Sequence, residues 1–280
     1  MTRHWIVGHD GSPSAGHTAD WAAAQARGRD LQLRLVSAWE VPFLARLSGI
    51  RMASGVDKAG LEATTRHQLG KEVERLHALG LDVSGDAIEG DARSVLIGES
   101  PTADLVIVGQ RGHDGTGIHL GSVSRHCATH SEVPTIVVPE ESGTEPVARV
   151  AVGFDGSTES EAALRWALFW NGPEVFIEAV RAFEVINWMS PAATIERFEP
   201  EIDEAKAAFQ DEVSRIDEAG RCVTRFEVGD AREVLDTVAG EADLVILGTR
   251  GAGRFTSTLL GSVAAHMAHH VRTPIAIVPS

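Results

Sequence analysis

The chain has 280 residues, of which 43% are hydrophobic and 23% charged, and its formal net charge is −15. At roughly 150 residues per domain this length allows two domains, and the composition is typical of soluble globular proteins. A surface this acidic repels nucleic-acid phosphates, so a nucleic-acid-binding protein is not expected. The only cysteines are Cys127 and Cys222, too few for a disulfide framework or a thiolate zinc site.

The sequence also argues against a membrane or secreted protein. No apolar run approaches the roughly 20 residues that cross a bilayer. The first residues, MTRHWIVGHDGS, contain no apolar segment followed by a small-residue cleavage site. We therefore expect no membrane partner, and the low cysteine content favours a cytoplasmic location.

The chain contains two copies of one domain, roughly 140 residues apart. The segments that recur in the same order are VGHDGS and VGFDGS, GDAR in both copies, ADLVIVGQRG and ADLVILGTRG, LGSV in both copies, and VPTIVVP and TPIAIVP. Between the copies, the segment PEESGTEPVA has two prolines, a glycine and neither helical nor strand periodicity. We predict domains at residues 1–138 and 149–280, joined by a linker at residues 139–148.

Short apolar strands alternate with helical segments in each copy, which predicts a parallel sheet covered by helices. The predicted strands are Trp5–Val7, Leu31–Ala38, Leu81–Ile88, Leu105–Val108 and Thr135–Val138, then Val150–Val152, Val175–Ala182, Cys222–Val228, Leu244–Leu247 and Ile275–Val278.

A helix is predicted directly after each D-G-S segment. Ser12 followed by Pro13 is typical of an N-cap and a first helical residue, and Thr158 with Glu161 has the spacing of a capping box. A later helix in each copy has apolar residues at i, i+4 and i+7, which predicts one buried stripe. The stripe residues are Leu69, Val73 and Leu76, then Phe209, Val213 and Ile216, and the predicted helix stops are Gly80 and Gly220.

The segment after the fourth strand of each copy is rich in glycine, GQRGHDGTGIHLGS in the first and GTRGAGRFTSTLLGS in the second. In an open parallel sheet, ligands bind beyond the carboxyl ends of the strands, where these loops lie. Glycine amides and the first turn of the next helix favour an anion such as phosphate. The alternative is that the glycines only form a turn, but the loop occurs twice in the same context. The candidate phosphate-binding residues are Gly109, Arg111, Gly112, Gly121 and Ser122, then Gly248, Arg250, Gly251, Gly261 and Ser262.

With these motifs, the chain resembles a tandem member of the universal stress protein family, in its ATP-binding branch. The family fingerprint G-x2-G-x9-G-[ST] is matched in full by Gly248, Gly251, Gly261 and Ser262, while the first copy is one residue short. The resemblance implies an α/β, Rossmann-like fold with two five-stranded parallel sheets of strand order 3-2-1-4-5. It also implies a pseudo-dimer within the chain, formed through the last strands, and leaves a further homodimer open.

The resemblance implies ATP as the ligand, with Mg²⁺ assisting. It places Gly8 and Asp10, and Gly153 and Asp155, on the first nucleotide-contacting loop, with the aspartates serving a ribose hydroxyl or a metal ion. The alternative for each aspartate is an Asx turn before the helix. The backbones of Ala38 and Ala182 would meet adenine. The further candidates that the resemblance adds to the loops are Val123, Thr249, Arg254 and Val263.

Three functions remain open at this point. The first is an ATP-binding, stress-response regulatory protein in which the nucleotide sets conformation or the choice of an unidentified protein partner, with at most weak ATPase activity. The second is an adenine-nucleotide-dependent enzyme of the related α-hydrolase class, an ATP hydrolase or an adenylating enzyme, although the S-G-G-x-D-S loop and the H-x-G-H pair are missing. The third is a nucleotide-free interaction scaffold. The sequence has no G-x4-G-K-[ST] and no G-x-G-x-x-G opening a first helix, which argues against P-loop NTPases and dinucleotide dehydrogenases.

Other features have simpler explanations. The helical pairs His126 with His130 and His266 with His270 have metal-ligand spacing, but packed or solvated histidines are favoured. Trp21 and Trp166 are expected in the core, and a redox role for Cys127 is not favoured because the cysteine occurs in one copy.

The two sites are expected to differ in affinity. The second loop keeps the nine-residue gap and adds Arg254, whereas the first carries Asp114, whose charge opposes phosphate. We therefore expect the second copy to bind more tightly.

Overall fold

The computed structural model describes residues 3–41, 58–112, 120–184, 198–251, 260–270 and 272–280. The chain divides into two units, Met1–Pro146 and Val147–Ser280. Within these described residues, no helix is long and apolar enough to cross a membrane.

The first unit is a parallel sheet of strand order β3-β2-β1-β4-β5. Its strands are β1 (Arg3–Gly8), β2 (Leu31–Trp39), β3 (Val83–Glu89), β4 (Leu105–Gly109) and β5 (Thr135–Val138). Its helices are α1 (Pro13–Ala26), α2 (Lys58–His77), α3 (Ala92–Glu99) and α4 (Ser122–His130), and a 3-10 turn, Ser100–Thr102, follows α3.

The second unit repeats this arrangement, with strand order β8-β7-β6-β9-β10. Its strands are β6 (Arg149–Gly153), β7 (Phe176–Phe183), β8 (Cys222–Val228), β9 (Leu244–Gly248) and β10 (Ile275–Val278). Its helices are α5 (Thr158–Trp170), α6 (Glu199–Ile216), α7 (Ala231–Ala239) and α8 (Ser262–His270). The predicted fold class is confirmed, and each unit has the order 3-2-1-4-5.

The central strands are buried on both faces because helices cover each side of the sheet. Trp5, Ile6 and Val7 in β1 are each at most 1% exposed, and residues 244–246 in β9 are fully buried. Continuous rather than alternating apolar runs are typical of parallel strands covered in this way.

Serine caps the helix that follows β1 and β6. The hydroxyl of Ser12 accepts a hydrogen bond from the amide of Ala15 (3.1 Å), and that of Ser157 accepts one from the amide of Ser160 (3.2 Å). The predicted capping box at Thr158 and Glu161 is wrong, because Thr158 is already the first helical residue. Ser157 keeps an extended backbone (φ −74°, ψ 158°), which lets its side chain reach the amide three residues later.

The predicted apolar stripes lie on α2 and α6 and pack on the sheet. Two residues of each stripe are buried: Leu69 and Leu76 on α2, and Phe209 and Val213 on α6. The third residue, Val73 on α2 and Ile216 on α6, is half-buried. Gly80 (φ +81°) and Gly220 (φ +66°) lie in the turns that end these helices. A left-handed backbone of this kind favours glycine, so both predicted helix stops are confirmed.

The segment after β5 lies against α1 of the first unit. His17 Nε2 and Ser142 Oγ are 3.2 Å apart, and Gln25 Nε2 donates to the carbonyl of Glu145 (2.9 Å). Ser142 is only 9% exposed. Much of the predicted linker is therefore held to the first unit by side chains of α1.

Candidate functional site

Each unit has a cavity at the carboxyl ends of its strands. The first cavity has a volume of about 440 Å³ and the second a volume of about 620 Å³. Each is lined by the ends of the first, second and fourth strands of its unit and by the starts of the third and fourth helices. This is the edge of a parallel sheet at which ligands bind in open α/β folds.

The structure brings nearly all of the predicted site residues to these cavities. The first cavity is lined by Gly8, Asp10, Ala38, Gly109, Arg111, Gly112, Gly121, Ser122 and Val123. The second cavity is lined by Gly153, Asp155, Ala182, Gly248, Arg250, Gly251, Gly261, Ser262 and Val263. Thr249 is not part of the lining, although its carbonyl accepts a hydrogen bond from the amide of Gly261 (2.8 Å). Arg254 and Asp114 lie outside the described residues.

Apolar side chains that sequence reasoning missed form one wall of each cavity. In the first unit they are Val36, Leu96 and Val108, which are all buried. Their counterparts in the second unit are Val180, Leu235 and Leu247. One signal for them was available: Val36 and Val180 precede the predicted adenine-contacting alanines by two positions and so share a face of the strand. Together with Ala38 and Ala182 they leave an apolar cleft beside the second strand.

The aspartates after β1 and β6 form Asx turns. Oδ1 of Asp10 accepts from the amide of Ser12 (3.0 Å), and Oδ1 of Asp155 accepts from the amide of Ser157 (3.0 Å). The alternative interpretation of these aspartates is therefore present in the structure. It does not exclude a ligand role, because the same residues also line the cavities.

The second oxygen of each aspartate lies against the glycine loop. A β-carbon on Gly112 would lie 2.8 Å from Oδ2 of Asp10, and one on Gly251 would lie closer still to Oδ2 of Asp155. Real β-carbons do not approach an oxygen this closely without a shift of the neighbour. A side chain at Gly112 or Gly251 would therefore displace the carboxylate of the opposing aspartate from its place against the loop.

Glycine occupies the first position of each loop for a different reason, the close approach of the first helix of the unit. A β-carbon on Gly109 would lie 2.9 Å from Oγ1 of Thr18 on α1, and one on Gly248 would lie 2.6 Å from Cβ of Glu159 on α5. Gly109 and Gly248 thus allow the fourth strand to end close to the first helix of its unit. The structure assigns these two glycines a packing role in addition to the predicted loop role.

Hydrogen-bond donors that lack an acceptor in the described part of the chain lie at the start of α4. Gly121 is its N-cap and provides no side-chain cap, so the amides of the first turn have no partner within the helix. Ser122 and Val123, in that turn, line the cavity. Nε of Arg111 is also buried, with no hydrogen-bond partner among the residues described. Donors of this kind, near a helix N-terminus, suit an anionic group.

The two cavities differ at the residue that precedes the Asx-turn aspartate. His9 lines the first cavity and Phe154 the second. The amide of Gly11 donates to Nδ1 of His9 (3.3 Å). Burial lowers the pKa of His9 below the ordinary histidine value, against the opposing charges of Glu72 and Asp10. His9 is therefore held mainly in its neutral form at neutral pH.

The histidine pairs have local partners. Nδ1 of His130 lies 3.0 Å from the carbonyl of His126, and Nε2 of His266 lies 2.8 Å from Oδ2 of Asp236. Among the residues described, no group of three or more histidine, cysteine or acidic side chains is arranged to hold a metal ion.

The tryptophans and the first cysteine lie away from the cavities. Trp21 is 1% exposed, as predicted for the core, and Trp166 is half-buried, with its ring stacked on Trp170 at a centroid distance of 5.3 Å. Burial raises the pKa of Cys127 to about 12. A thiol with that pKa is almost fully protonated at neutral pH, which makes it a poor nucleophile.

Comparison with known proteins identifies the family. The model of the universal stress protein family matches this chain twice, at residues 1–139 and 146–279. The chain belongs to the universal stress protein family. The resemblance inferred from the glycine loops is therefore confirmed, and the chain carries two family domains in tandem.

Curated mycobacterial proteins share the tandem arrangement over nearly their whole length. This universal stress protein is 31% identical to universal stress protein Rv2623 of Mycobacterium tuberculosis, with 97% of this chain and 95% of that protein covered. It is 28% identical to universal stress protein Mb2019 of Mycobacterium bovis, with 97% and 93% covered. Among solved structures, a universal stress protein from Archaeoglobus fulgidus has a TM-score of 0.70 at 16% identity, covering 99% of this chain and 98% of that one. The structural likeness supports the fold.

Proposed function

We propose that this universal stress protein binds an adenine nucleotide, ATP by preference, in both units. The nucleotide would set the conformation of the protein or its choice of a protein partner. The observation that carries the proposal is the repetition, in both cavities, of an apolar cleft next to a glycine loop. A ligand with an apolar ring at one end and phosphates at the other matches this division.

The apolar end suits adenine. Ala38 and Ala182 have small side chains at the ends of β2 and β7, so a flat ring can approach the strand backbone there. Leu96 on α3 and Leu235 on α7 belong to the apolar wall of their cavities and would also contact the ring. Apolar lining with a few polar groups is typical of small-molecule sites.

The loop end suits phosphate. The first-turn amides of α4 and Nε of Arg111, for which the described residues provide no acceptor, supply donors in the first unit. Ser262, with Arg250 nearby, takes the same position in the second. Charge-assisted bonds from arginine and amide donors at a helix N-terminus favour an anion.

Asp10 and Asp155 would repel bare phosphate, so we infer that they serve a ribose hydroxyl or a divalent cation. Mg²⁺ is commonly held by one or two carboxylates together with ligand phosphates. The oxygens of these aspartates are of the kind that Mg²⁺ prefers. When bound, the cation would supply positive charge that offsets the charges of the carboxylate and the phosphates.

Binding rather than catalysis is the proposed activity. The two copies share no nucleophile with an adjacent base and an orienting group, which acyl or phosphoryl transfer would require. Hydrolysis of ATP would then be slow. We further propose that the protein works in the cytoplasm and that its two units associate as a pseudo-dimer, with a homodimer as the larger assembly.

Calorimetric titration with ATP and with NAD, each with and without Mg²⁺, tests the proposal. We expect ATP to bind more tightly than NAD and Mg²⁺ to increase the affinity for ATP. Nucleotide released when the purified protein is denatured provides a second measurement. Tighter binding of NAD, or no heat with ATP and no nucleotide in the purified protein, would overturn the proposal and favour the scaffold interpretation. Rapid turnover of ATP would favour the enzyme.

A further inference from the structure

The two cavities differ in the number of carboxylates that line them. Glu159 lines the second cavity. Its counterpart in the first unit is Ser14, which is buried, with its hydroxyl 3.3 Å from the carbonyl oxygen of Arg111. Among the described residues, the second cavity is thus lined by Asp155 and Glu159, whereas Asp10 is the single acidic residue lining the first.

Both acidic residues of the second cavity lie along the same glycine loop. A β-carbon on Gly248 would lie 2.6 Å from Cβ of Glu159 and 2.8 Å from its carbonyl oxygen. Asp155 approaches the second glycine of the loop, Gly251, with a carboxylate oxygen, Oδ2. Glu159 thus lines the cavity from a position next to the first glycine of the loop, and its carboxylate, two bonds beyond Cβ, is within side-chain reach of the part of the cavity that is proposed to take phosphate.

A second carboxylate changes the balance of charge for a polyphosphate. The repulsion between two like charges several ångströms apart at a protein surface corresponds to roughly a tenfold change in affinity. A repulsion of this size grows with the number of phosphates and is relieved by a bridging cation. Mg²⁺ sites formed by one or two carboxylates and ligand phosphates have this composition.

We propose that Glu159 makes polyphosphate binding in the second unit depend on a divalent cation, and that the first unit binds the same ligand with a weaker dependence. This inference rests on the proposed nucleotide-binding function. It predicts that the cation dependence in the second unit increases from AMP to ADP to ATP. It assigns a specificity-determining role to a residue with no acidic counterpart in the first unit.

A purely structural role for Glu159 makes a different prediction. An acidic residue in the first turn stabilises a helix through the macrodipole. Glu161 lies in the same first turn of α5 and pairs with Arg165 (3.6 Å), but it does not line the cavity. Glu161→Gln is therefore a matched control that removes the same charge from the same turn.

The experiment uses the full chain with the first site disabled by Gly112→Val. ATP, ADP and AMP are titrated by calorimetry in Mg²⁺ and in EDTA, before and after adding Glu159→Gln or Glu161→Gln. Circular dichroism checks that each variant is folded. The measured quantity is the ratio of the affinities with and without Mg²⁺. Glu159→Gln should reduce this ratio for ATP by about tenfold, chiefly through tighter binding in EDTA, and should change it little for AMP.

The control and the converse variant decide between the explanations. Glu161→Gln should leave the ratio unchanged, and Gly251→Val, which leaves only the first site, should show a smaller ratio than Gly112→Val. An unchanged ratio in Glu159→Gln, or an equal decrease in both glutamine variants, would overturn the role of Glu159 while leaving nucleotide binding intact. If none of the three nucleotides binds under either condition, the proposed function is overturned, and this inference with it.

Discussion

Oδ2 of Asp10 occupies the space that a β-carbon on Gly112 would need, at a distance of 2.8 Å from that position. Asp155 and Gly251 repeat the relationship in the second unit. The loop after the first strand and the loop after the fourth strand are thus fitted to each other in both units. The second glycine of each loop thus lets the aspartate carboxylate keep this position in the cavity.

Gly112→Ala and Gly251→Ala should each displace the opposing aspartate and weaken nucleotide binding in the altered unit by about tenfold. The aspartate side chain can rotate away from the added carbon, so the fold is kept while the carboxylate leaves its place in the cavity, and a loss of about 1.4 kcal/mol in binding corresponds to tenfold in affinity. Calorimetry of each variant measures the change. Gly98→Ala in α3 is the control, because a β-carbon there meets nothing within 4 Å. Wild-type affinity in both loop variants would contradict the fitted arrangement.

Ser157→Ala should destabilise α5 by about 1 kcal/mol, because the amide of Ser160 loses its acceptor. Thr158→Ala should cost less, since Thr158 is a helical residue and not the cap. Denaturant titration of the full chain, followed through the transition of the second unit, compares the two variants. An equal loss of stability in both variants would contradict Ser157 as the cap and favour the capping box predicted at Thr158 and Glu161.

Asp91 and Asp230 should contribute to stability at neutral pH and lose that contribution in acid. The Arg93 side chain lowers the pKa of Asp91, and the Arg232 side chain lowers that of Asp230. A carboxylate with a depressed folded-state pKa stabilises the fold above its unfolded pKa of about 3.9, and the stabilisation is lost as pH falls through the folded value. Asp91→Asn and Asp230→Asn keep a capping side chain but remove the charge. Melting temperatures from neutral pH to about pH 2.5 should fall less steeply below about pH 4 in the variants, and identical profiles would contradict the assignment.

The sequence predicted β4, β5, β9 and β10 well because each is a short, mostly apolar run bounded by glycine, proline or aspartate. β5 and β10 begin and end at the predicted residues, Thr135–Val138 and Ile275–Val278. β3 begins at Val83 rather than Leu81, because the chain leaves the turn at Gly80 before it can pair. Local sequence signals predict where a strand lies, but the residue at which pairing begins depends on the neighbouring strand.

The candidate site was predictable only where chemistry recurs at fixed spacing. Glycine loops and D-G-S segments are visible in both copies, so Gly251 and Asp155 could be named in advance. Leu96 and Glu159 could not, because an ordinary leucine or first-turn glutamate reaches the cavity only through the packing of its helix on the sheet. The contact between Gly112 and Asp10 could not be predicted either, because the two residues lie far apart in sequence.

The last strands, β5 and β10, lie at one end of the strand order of their own units, and exposed apolar edges favour pairing. We predict that the two units associate through these strands. A protease site inserted after Gly143, an exposed residue with free space around its α-carbon, would let the connection be cut. Cleaved halves should elute together from a sizing column, and halves that elute separately would contradict the pairing.

We also predict that, with Mg²⁺ present, the second unit binds ATP more tightly than the first. Its loop keeps the full nine-residue gap between Gly251 and Gly261, and Arg254 adds a cation to that loop. The first loop is one residue shorter and carries Asp114, whose charge opposes phosphate within about 6 Å unless a cation screens it. The second cavity is also the larger, at about 620 Å³ against 440 Å³.

The glycine content of the first loop argues in the opposite direction. Its additional glycines, Gly115 and Gly117, would let it close around phosphates, but ordering them costs conformational entropy. Gly112→Val and Gly251→Val each leave one intact site, and titration with ATP in saturating Mg²⁺ compares the two. The Gly112→Val variant should retain the tighter site. If Gly251→Val retains it, or if both variants bind ATP equally, then the extra loop residue and Arg254 do not determine the difference in affinity.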